Sequence, residues 1–380
     1  MTHAFDLSPD HRSILEEARR AGEELRAPAA ESVPGRVNRK VVSALAETGV
    51  LPRLFPVDGT VSAMTLCLLR EGLAQTSTEA ETALALQGLG AYPILQSGSP
   101  SLIERWIPSV RGGDAVAAFA LTEPEHGSDA AALELRAEPD GAGYRLTGEK
   151  SWISNAPDAD VYTVFGRTTQ DAGARGVTAF AVPGDSAGLS GEAVELLAPH
   201  AIGRLTFDGV RVEPADVLGE VDAGFGVAMT TLDLFRPSVG AFAVGMAQAA
   251  LDAAVGHAAA RESMGRPLRE HQAVSQLLAE MATRLEAARL LVYTAASAYD
   301  AGEPIKKAAA MAKLFATETA QFVVDAAIQV HGAAALEKGH LLEHLYRDVR
   351  APRIYEGTSE IQREVIAREL FRVAPRAEGL

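Results

Sequence analysis

The chain has 380 residues, 47% of them hydrophobic, so it is long enough for two or three globular domains and too apolar for a disordered protein. Its net charge of −15 argues against nucleic acid or an anionic membrane as the main partner, although a local patch can still bind a small anion. Cys67 is the single cysteine, which excludes an intramolecular disulfide and a structural zinc site made of cysteines.

Residues 1–118 are predicted to form an N-terminal α-helical domain. Amphipathic or apolar periodicity at helical spacing marks four stretches: 11–27, 39–49, 61–75 and 78–96. The opening residues have neither a basic start nor the apolar core of a secretory signal, so a cytoplasmic protein is expected.

Residues 119–222 have a different character and are predicted to form a middle β domain, an antiparallel sheet or barrel. Gly and Pro recur every few residues and separate runs of strand-forming residues. The predicted strands are 143–154, 161–168, 176–184 and 205–214.

Residues 223–380 are predicted to form a C-terminal four-helix bundle, because long helices with short links are typical of bundles. The most apolar stretch, 237–256, contains polar residues and several glycines, so it is interpreted as a buried helix and no membrane span is expected. Further helices are predicted over 268–301, 304–332 and 341–349. The last helix is expected to begin at about Ile361, behind a capping box of Ser359 and Gln362.

Two motifs lie in the β region. In 119-FALTEPEHGSDAA-131, Thr122, Gly127 and Ser128 offer hydroxyl and backbone N–H groups to a phosphate or a ring, whereas a polar turn before a strand is the simpler interpretation. In 150-KSWISN-155, Trp152 and Ser154 lie on one face of a strand, which suits stacking beside a flat ring plus one hydrogen bond. A core tryptophan is the alternative.

Three further motifs lie in the helical C-terminal region. The turn in 261-RESMGRPLREHQAV-274 carries arginines that suit phosphates, or it is a solvated corner between helices. In 329-QVHGAAALEKGH-340, Gly332 ends a helix. Glu356 stands in a loop before the last helix; in an apolar pocket its pKa would rise, as a general base requires, and a solvated loop acid is the alternative. No metal-ligand spacing, Rossmann fingerprint or P-loop is present.

Taken together, these motifs resemble those of the acyl-CoA dehydrogenases over nearly the whole chain. ALTEPEHGSD is similar to the family's ALTEPxxGSD segment, KSWISN to K-x-W-I-[ST]-N, and RESMGRPLREHQAV to R-x-x-F-G-x-x-[IL]-x-x-x-Q-A-V. IYEGTSEIQREVIAREL matches the closing signature almost residue for residue. Four matches in order, within an α–β–α layout, make the resemblance specific.

The resemblance implies an FAD-dependent enzyme that removes the α-proton of an acyl thioester with Glu356 while the β-hydrogen leaves as hydride. It implies cofactor contacts by Phe119, Leu121, Thr122, Gly127, Ser128, Trp152, Ser154, Arg261, Gln272, Gln329, Gly332, Thr358 and Glu360. Substrate contacts are implied for Ser128, Asp233 and Arg236. Arg261 and Gln272 would serve the FAD of a neighbouring subunit in a homotetramer. Electron-transfer flavoprotein, or a similar acceptor, would take the electrons.

Three positions depart from the family pattern. The segment 332-GAAA-335 replaces a glycine-rich G-G-x-G, and Met264 replaces a phenylalanine. The family's G-x-R-x-[ST] segment is not recognisable in 195-ELLAPHAIGR-204, so the thioester carrier is either CoA or an acyl carrier protein. Some members carry the base just before the residue that matches Arg236, where this chain has Phe235. An oxygen-using oxidase is an alternative on this fold, and a silent subunit or helical interaction module is one of another class.

Overall fold

The computed structural model describes residues 7–56 and 59–372. The opening residues 1–6, on which the expectation of no secretory signal rests, and the last eight residues of the predicted bundle lie outside that range. The described helices are α1 Pro9–Glu24, α2 Arg26–Ala29, α3 Arg39–Glu47, α4 Val50–Leu54, α5 Ala63–Ala74, α6 Thr78–Ser97, α7 Pro100–Arg111, α8 Gly224–Ala260, α9 Gln272–Asp300, α10 Lys306–His331, α11 Leu341–Asp348 and α12 Ser359–Arg372. The described strands are β1 Ala117–Ala120, β2 Arg136–Asp140, β3 Gly143–Ser154, β4 Val161–Arg167, β5 Val177–Pro183, β6 Leu189–Ala193, β7 Ile202–Val212, β8 Val217–Leu218, β9 Glu262–Ser263 and β10 Arg266–Pro267.

This order of helices, strands and helices confirms the predicted fold class. By its own contacts the chain divides into two compact units. We call residues 20–61 and 77–232 the sheet unit, and residues 1–19, 62–76 and 233–380 the helical unit. The three-domain division at residues 118 and 222 remains a prediction.

The sheet unit contains an eight-stranded sheet in the order β6-β7-β3-β2-β4-β5-β8, with β1 paired to β4. Most neighbours are antiparallel, as predicted, but both β1 and β2 pair parallel to β4, so the sheet is mixed. Parallel partners of this kind need a crossover, and the alternation of residues within single strands does not reveal one. Strands β4 and β5 are buried almost throughout, which explains their continuous apolar character.

Helix α6 holds β1 in place within the sheet unit. A Cβ at Gly90 would lie 2.4 Å from the backbone nitrogen of Ala118, so only glycine permits this approach of helix and strand. Gln87 of α6 donates to the carbonyl of Ala115 and accepts from the N–H of Ala117, at 2.8 and 2.9 Å. These contacts fix the strand that leads directly into the 119–131 segment.

The helical unit packs its long helices closely. A Cβ at Gly240 in α8 would lie 2.7 Å from a methyl carbon of Val292 in α9. Buried Glu71 of α5 accepts from Arg289 and Tyr293 of α9, at 3.0 and 2.8 Å, so its carboxylate is paired and hydrogen-bonded.

Helix α8 is the one helix in the described part of the chain that is long and apolar enough to cross a membrane. Of its most apolar window, 72% is buried inside the protein. That burial is typical of the core helix of a soluble protein and agrees with the interpretation of 237–256 as a buried helix.

Candidate active site

The loop before α12 presents Glu356 in an unusual backbone conformation. Its φ is 52°, in the left-handed region that non-glycine residues rarely adopt, and Gly357 follows at φ 95°. The hydroxyl of Thr358 accepts from the N–H of Ile361 at 3.3 Å, so Thr358 caps a helix that begins at Ser359. The predicted box of Ser359 and Gln362 is therefore wrong: the cap lies one residue earlier, and the helix begins two residues before the predicted Ile361.

Ser359 and Gln362 have other partners instead. The Ser359 hydroxyl donates to Glu318 at 2.7 Å, and the Gln362 amide donates to the carbonyls of Glu356 and Gly357 at 3.1 and 3.0 Å. A motif that fits a cap in sequence is thus used to hold the loop that carries Glu356.

The Glu356 carboxylate lies in a desolvated site within the helical unit. Among the described residues, its Oε2 is buried and has no hydrogen-bond partner. Burial raises the pKa of Glu356, and the nearby charges of Arg70, Lys313 and Arg236 act in the opposite direction. A buried carboxylate with a raised pKa and a free oxygen is suited to accept a proton near neutral pH.

The cations near Glu356 are themselves held by the helices of this unit. Arg70 of α5 is 3% exposed and donates to Ser238 at 2.7 Å. Arg236 of α8 pairs with Asp233 at 3.1 Å, and its Nε lies 3.5 Å from the carbonyl oxygen of Glu356. Burial raises the pKa of Asp233. The structure thus brings Asp233 and Arg236 close to Glu356.

Phe235, which matches the alternative base position, is 1% exposed in the helical unit. Its side chain has no proton acceptor, so this chain offers no base at that position.

In the sheet unit, the 119–131 segment leaves the sheet as an exposed loop. Phe119 packs on Phe165 with ring centroids 4.9 Å apart, and Leu121 is buried. Thr122 is partly exposed, and both Gly127 and Ser128 are exposed. A Cβ at Gly127 would meet nothing within 4 Å, so the space beside this loop is open to a ligand.

A buried ion pair joins this loop to strand β3. Lys150 donates to Glu123 at 2.8 Å and to the carbonyl of Leu121 at 2.9 Å, and its side chain is 0% exposed. Glu123 also accepts from the backbone N–H groups of Glu134 and Leu135. The Ser151 N–H donates to the Thr122 carbonyl at 3.0 Å. The two motifs predicted to hold one cofactor are therefore fixed to each other.

Trp152 and Ser154 follow on β3 at a bulge. The register against β7 shifts between Lys150 and Ile153, and Trp152 has φ 60°. Its side chain is 50% exposed, so the alternative of a core tryptophan is wrong. Ser154 is partly buried, and its hydroxyl lies 2.9 Å from Nε2 of His200. His200 belongs to the segment 195–204 that departs from the family pattern.

The remaining predicted cofactor residues lie in the helical unit. Arg261 is exposed just before β9, Gln272 is exposed as the first residue of α9, and Gln329 is exposed near the end of α10. Gly332 ends α10 with φ 68°, as predicted for a terminating glycine. Exposed Glu360 has a lowered pKa, because hydrogen bonds with its own backbone and Thr358 favour its charged form.

Three histidine side chains close to Arg261 form a stack that the sequence analysis did not predict. The rings of His257 and His331 are 4.2 Å apart and stacked, and His340 meets His331 edge-on at 5.5 Å. The stack joins the ends of α8 and α10. Within the described ranges, no group of three or more His, Cys, Asp or Glu side chains is placed to hold a metal ion.

The residues present fit an FAD molecule. The sheet unit offers a half-exposed indole, the neighbouring Ser154 hydroxyl, and an open loop with Thr122 and Ser128. A flat ring with a hydrogen-bonding edge and a phosphate tail needs these groups. The strained backbone at Trp152 is also typical of a ligand-binding position.

Comparison with known proteins agrees with this geometry. Three acyl-CoA dehydrogenase sequence models match the chain: the N-terminal domain over residues 8–114, the middle domain over 118–210 and the C-terminal domain over 222–371. The cyclohexane-1-carbonyl-CoA dehydrogenase of Geobacter metallireducens is 37% identical over 97% of this chain and 100% of its own length.

Two solved structures share the fold. Butyryl-CoA dehydrogenase from Megasphaera elsdenii superposes with a TM-score of 0.92 at 32% identity, covering 97% of this chain and 100% of that one. The FAD complex of PigA superposes with a TM-score of 0.91 at 27% identity, covering 97% and 99%. The chain therefore belongs to the acyl-CoA dehydrogenase family, FAD-dependent oxidoreductases that act on the CH–CH group of acyl-CoA.

Proposed function

We propose that this protein converts an acyl-CoA to the trans-2-enoyl-CoA, with Glu356 as the base, and passes the electrons to an external acceptor such as electron-transfer flavoprotein. The observation that carries the proposal is the Glu356 carboxylate, with a buried oxygen that has no hydrogen-bond partner in the described part of the chain. Its left-handed backbone supports the same conclusion, because strain of this kind concentrates at functional sites.

The reaction requires a base that acts at the α-carbon of the acyl group and a hydride acceptor that acts at the neighbouring β-carbon. Bound FAD supplies the hydride acceptor. Glu356 takes the α-proton, and its raised pKa makes it basic enough to accept this proton near neutral pH. The peptide N–H of Glu356 donates to the thioester carbonyl, and Gly357 eases the close approach of the backbone. Within the sheet unit, Trp152, Ser154, Thr122 and Ser128 would hold the FAD.

The base is tested by Glu356→Gln, which keeps the shape of the side chain but cannot accept the proton. Positioned bases contribute about 10²–10⁴-fold, so anaerobic flavin bleaching by substrate should slow by at least roughly that factor. The variant should keep its FAD and bind substrate. Stopped-flow absorbance at the oxidised-flavin band measures the rate.

The matched control is Glu360→Gln, four residues along the same segment. Glu360 is exposed, and its loss should weaken FAD retention more than it slows proton removal. If Glu356→Gln reduces its flavin at close to the wild-type rate, Glu356 is not the base. If the protein is a silent subunit, no substrate will bleach the flavin, even in the wild-type protein.

The thioester carrier is the second part of the proposal. CoA is favoured by the family, and two relatives, a cyclohexane-1-carbonyl-CoA dehydrogenase and a butyryl-CoA dehydrogenase, make the corresponding acyl-CoAs the first substrates to test. An acyl-carrier-protein thioester is the alternative, because segment 195–204 lacks the family's G-x-R-x-[ST] pattern and instead carries His200 against Ser154.

Parallel assays with each acyl group on CoA and on acyl carrier protein decide between the carriers. Fast bleaching by the CoA esters, unchanged when a family-type segment replaces 195–204, would rule out altered carrier recognition. Consumption of dioxygen during turnover would instead identify the oxidase.

We also propose a homotetramer in which Arg261 contributes to a neighbouring subunit's FAD site. Arg261 is exposed beside a turn whose tip, Met264, is 92% exposed. Arg261→Ala should release FAD on gel filtration while the protein stays folded. Light scattering that shows a monomer retaining FAD at low concentration would contradict shared binding.

A further inference from the structure

Lys313 lies on the buried face of α10, where a charged residue is costly. It falls in line with Ala309, Ala316 and Ala320, all of them buried, and is itself 0% exposed. An ammonium group in such a place needs a partner to offset its lost hydration.

The partner is the loop that carries Glu356. Lys313 Nζ donates to the carbonyl oxygen of Gly357 at 2.6 Å. Burial lowers the pKa of Lys313 to about 8, and the charge of Glu356 acts most strongly against that change. Arg236 also lowers this pKa, while Glu318 and Glu360 raise it.

The same carbonyl has a second, neutral donor. Gln362 Nε2 lies 3.0 Å from the Gly357 oxygen and 3.1 Å from the Glu356 oxygen. One peptide is therefore held by a charged donor from α10 and an uncharged donor from α12. The two donors make the contribution of charge separable from the contribution of the hydrogen bond.

Lys313 is one of three cations that act on the Glu356 carboxylate, after Arg70 and ahead of Arg236. Arg236 shares its charge with Asp233, and Arg70 donates to Ser238. For Lys313, Glu356 is the acid with the strongest charge interaction, ahead of Glu318 and Glu360. Lys313 is thus placed to act on the carboxylate through both the backbone and its charge.

We propose that Lys313 is a positioning residue for Glu356: its ammonium holds the Gly357–Thr358 peptide, directly after the left-handed Glu356, and supplies, together with Arg70, the counter-charge that keeps the Glu356 carboxylate ionised. The proposal rests on the proposed role of Glu356 as the base. It assigns a function to a buried cation that no recognised motif contains.

The test compares Lys313→Gln, Lys313→Arg and Gln362→Met with the wild-type protein. The readout is the pH dependence of anaerobic flavin reduction by whichever acyl-CoA bleaches the wild-type protein. Lys313→Gln keeps a donor but loses the charge, so the midpoint of the rising limb should move upward by about one pH unit or more. The sign follows because the active form is the carboxylate, which forms only at higher pH without the counter-charge.

The other two variants separate charge from hydrogen bonding. Lys313→Arg keeps the charge and should leave the midpoint at the wild-type pH. Gln362→Met removes the neutral donor and should slow the reaction with no change in the midpoint. Lys307→Met, at an exposed position on the same helix, is the control and should match the wild-type protein.

A Lys313→Gln midpoint equal to that of the wild-type protein would overturn the proposal, as would an equal shift in Gln362→Met. Should Lys313→Gln not fold, Lys313→Met, which loses both the charge and the donor, is compared with Gln362→Met, which loses only a neutral donor. If neither Lys313→Gln nor Lys313→Met folds, the pKa of the Glu356 carboxyl is measured by ¹³C NMR in Lys313→Arg. A pKa above that of the wild-type protein, despite the retained charge, contradicts the proposal. Glu356→Gln distinguishes failure of the Lys313 proposal from failure of the base assignment. If flavin reduction is slow in Glu356→Gln but the pH midpoint of Lys313→Gln is unshifted, only the role of Lys313 is refuted.

Discussion

At the scale of single residues, the features that suit Glu356 to act as a base also destabilise the folded protein. Its carboxylate is buried, one oxygen has no hydrogen-bond partner among the described residues, and its backbone is left-handed. Each feature costs free energy in the folded state. The raised pKa is the measurable sign of that cost, because the folded protein holds this proton more tightly than the unfolded chain does.

A pH-dependent stability difference follows for Glu356→Gln. Where the folded pKa exceeds the unfolded one, stability falls as pH rises from the unfolded pKa through the folded pKa, and the loss persists above it. The Gln variant lacks this loss, so its Tm should exceed that of the wild-type protein at pH 7–8 and equal it near pH 4. Thermal unfolding of both apoproteins across this pH range measures the difference.

Glu360→Gln is the matched control with the opposite sign. The pKa of Glu360 is lowered by hydrogen bonds, so its charged form stabilises the fold above the unfolded pKa, and this contribution is lost as pH falls. The variant should be slightly less stable than the wild-type protein at neutral pH. Equal Tm shifts of the same sign in both variants would contradict the assignment.

At the scale of elements, the site depends on how strands and loops are fixed to one another. The ion pair of Lys150 and Glu123 joins β3 to the 119–131 loop, and Asn155 donates to the carbonyl of Ala117 in β1 at 2.8 Å. The lysine, the glutamate and the asparagine belong to the recognised motifs. Their contacts give those positions a structural role beside the residues that face the cofactor.

Glu123→Ala should be strongly destabilising. It leaves the Lys150 ammonium buried without its carboxylate and removes the acceptor of two backbone N–H groups, and breaking one side of a buried pair costs roughly 3–5 kcal/mol. The double variant Glu123→Ala/Lys150→Met should recover part of that loss. Urea unfolding of Glu123→Ala, Lys150→Met and the double variant gives the three values, and additive effects would show that the two side chains do not interact.

Sequence patterns predicted the helices and strands better than the strand pairing and the helix caps. Strand β3 matches its predicted range 143–154, because alternation and turn residues are local signals. The parallel pairing of β1 and β2 with β4 was missed, because it depends on partners distant in sequence. Thr358 and Ser359 both suit a cap, and only the folded loop selects Thr358.

The sequence pointed only to those candidate-site residues that lie within recognised motifs. Glu356 and Trp152 stand in recognised segments, whereas Lys313 and Arg70 do not. Lys313 did leave a signal: it occupies the apolar stripe of α10 together with Ala309 and Ala316. A lone charge on a buried helical face indicates a hidden partner, but the stripe alone cannot say that this partner is the Gly357 carbonyl.

At the scale of the whole molecule, the helical unit exposes many large apolar side chains. Where such side chains form a contiguous patch, the patch usually marks an interface. The exposed apolar group includes Met264, Leu336, Leu341, Tyr346, Ile354 and Phe371. Ile354 lies two residues before Glu356 and Phe371 lies near the end of α12, so assembly is expected to affect the segment that carries Glu356.

Met264→Glu tests the proposed homotetramer directly. Met264 is 92% exposed at the tip of the β9–β10 turn, with φ 52°, three residues after Arg261. A buried, unpaired carboxylate at an interface is costly, so the variant should dissociate at micromolar concentration and lose FAD more readily. Val33→Glu is the control, because Val33 is a 61% exposed apolar residue of the sheet unit outside this group. Light scattering should show the wild-type mass for Val33→Glu and a smaller mass for Met264→Glu, with a Tm that now falls on dilution. If Met264→Glu keeps both the wild-type mass and its FAD, the turn lies outside the interface and Arg261 serves only its own chain.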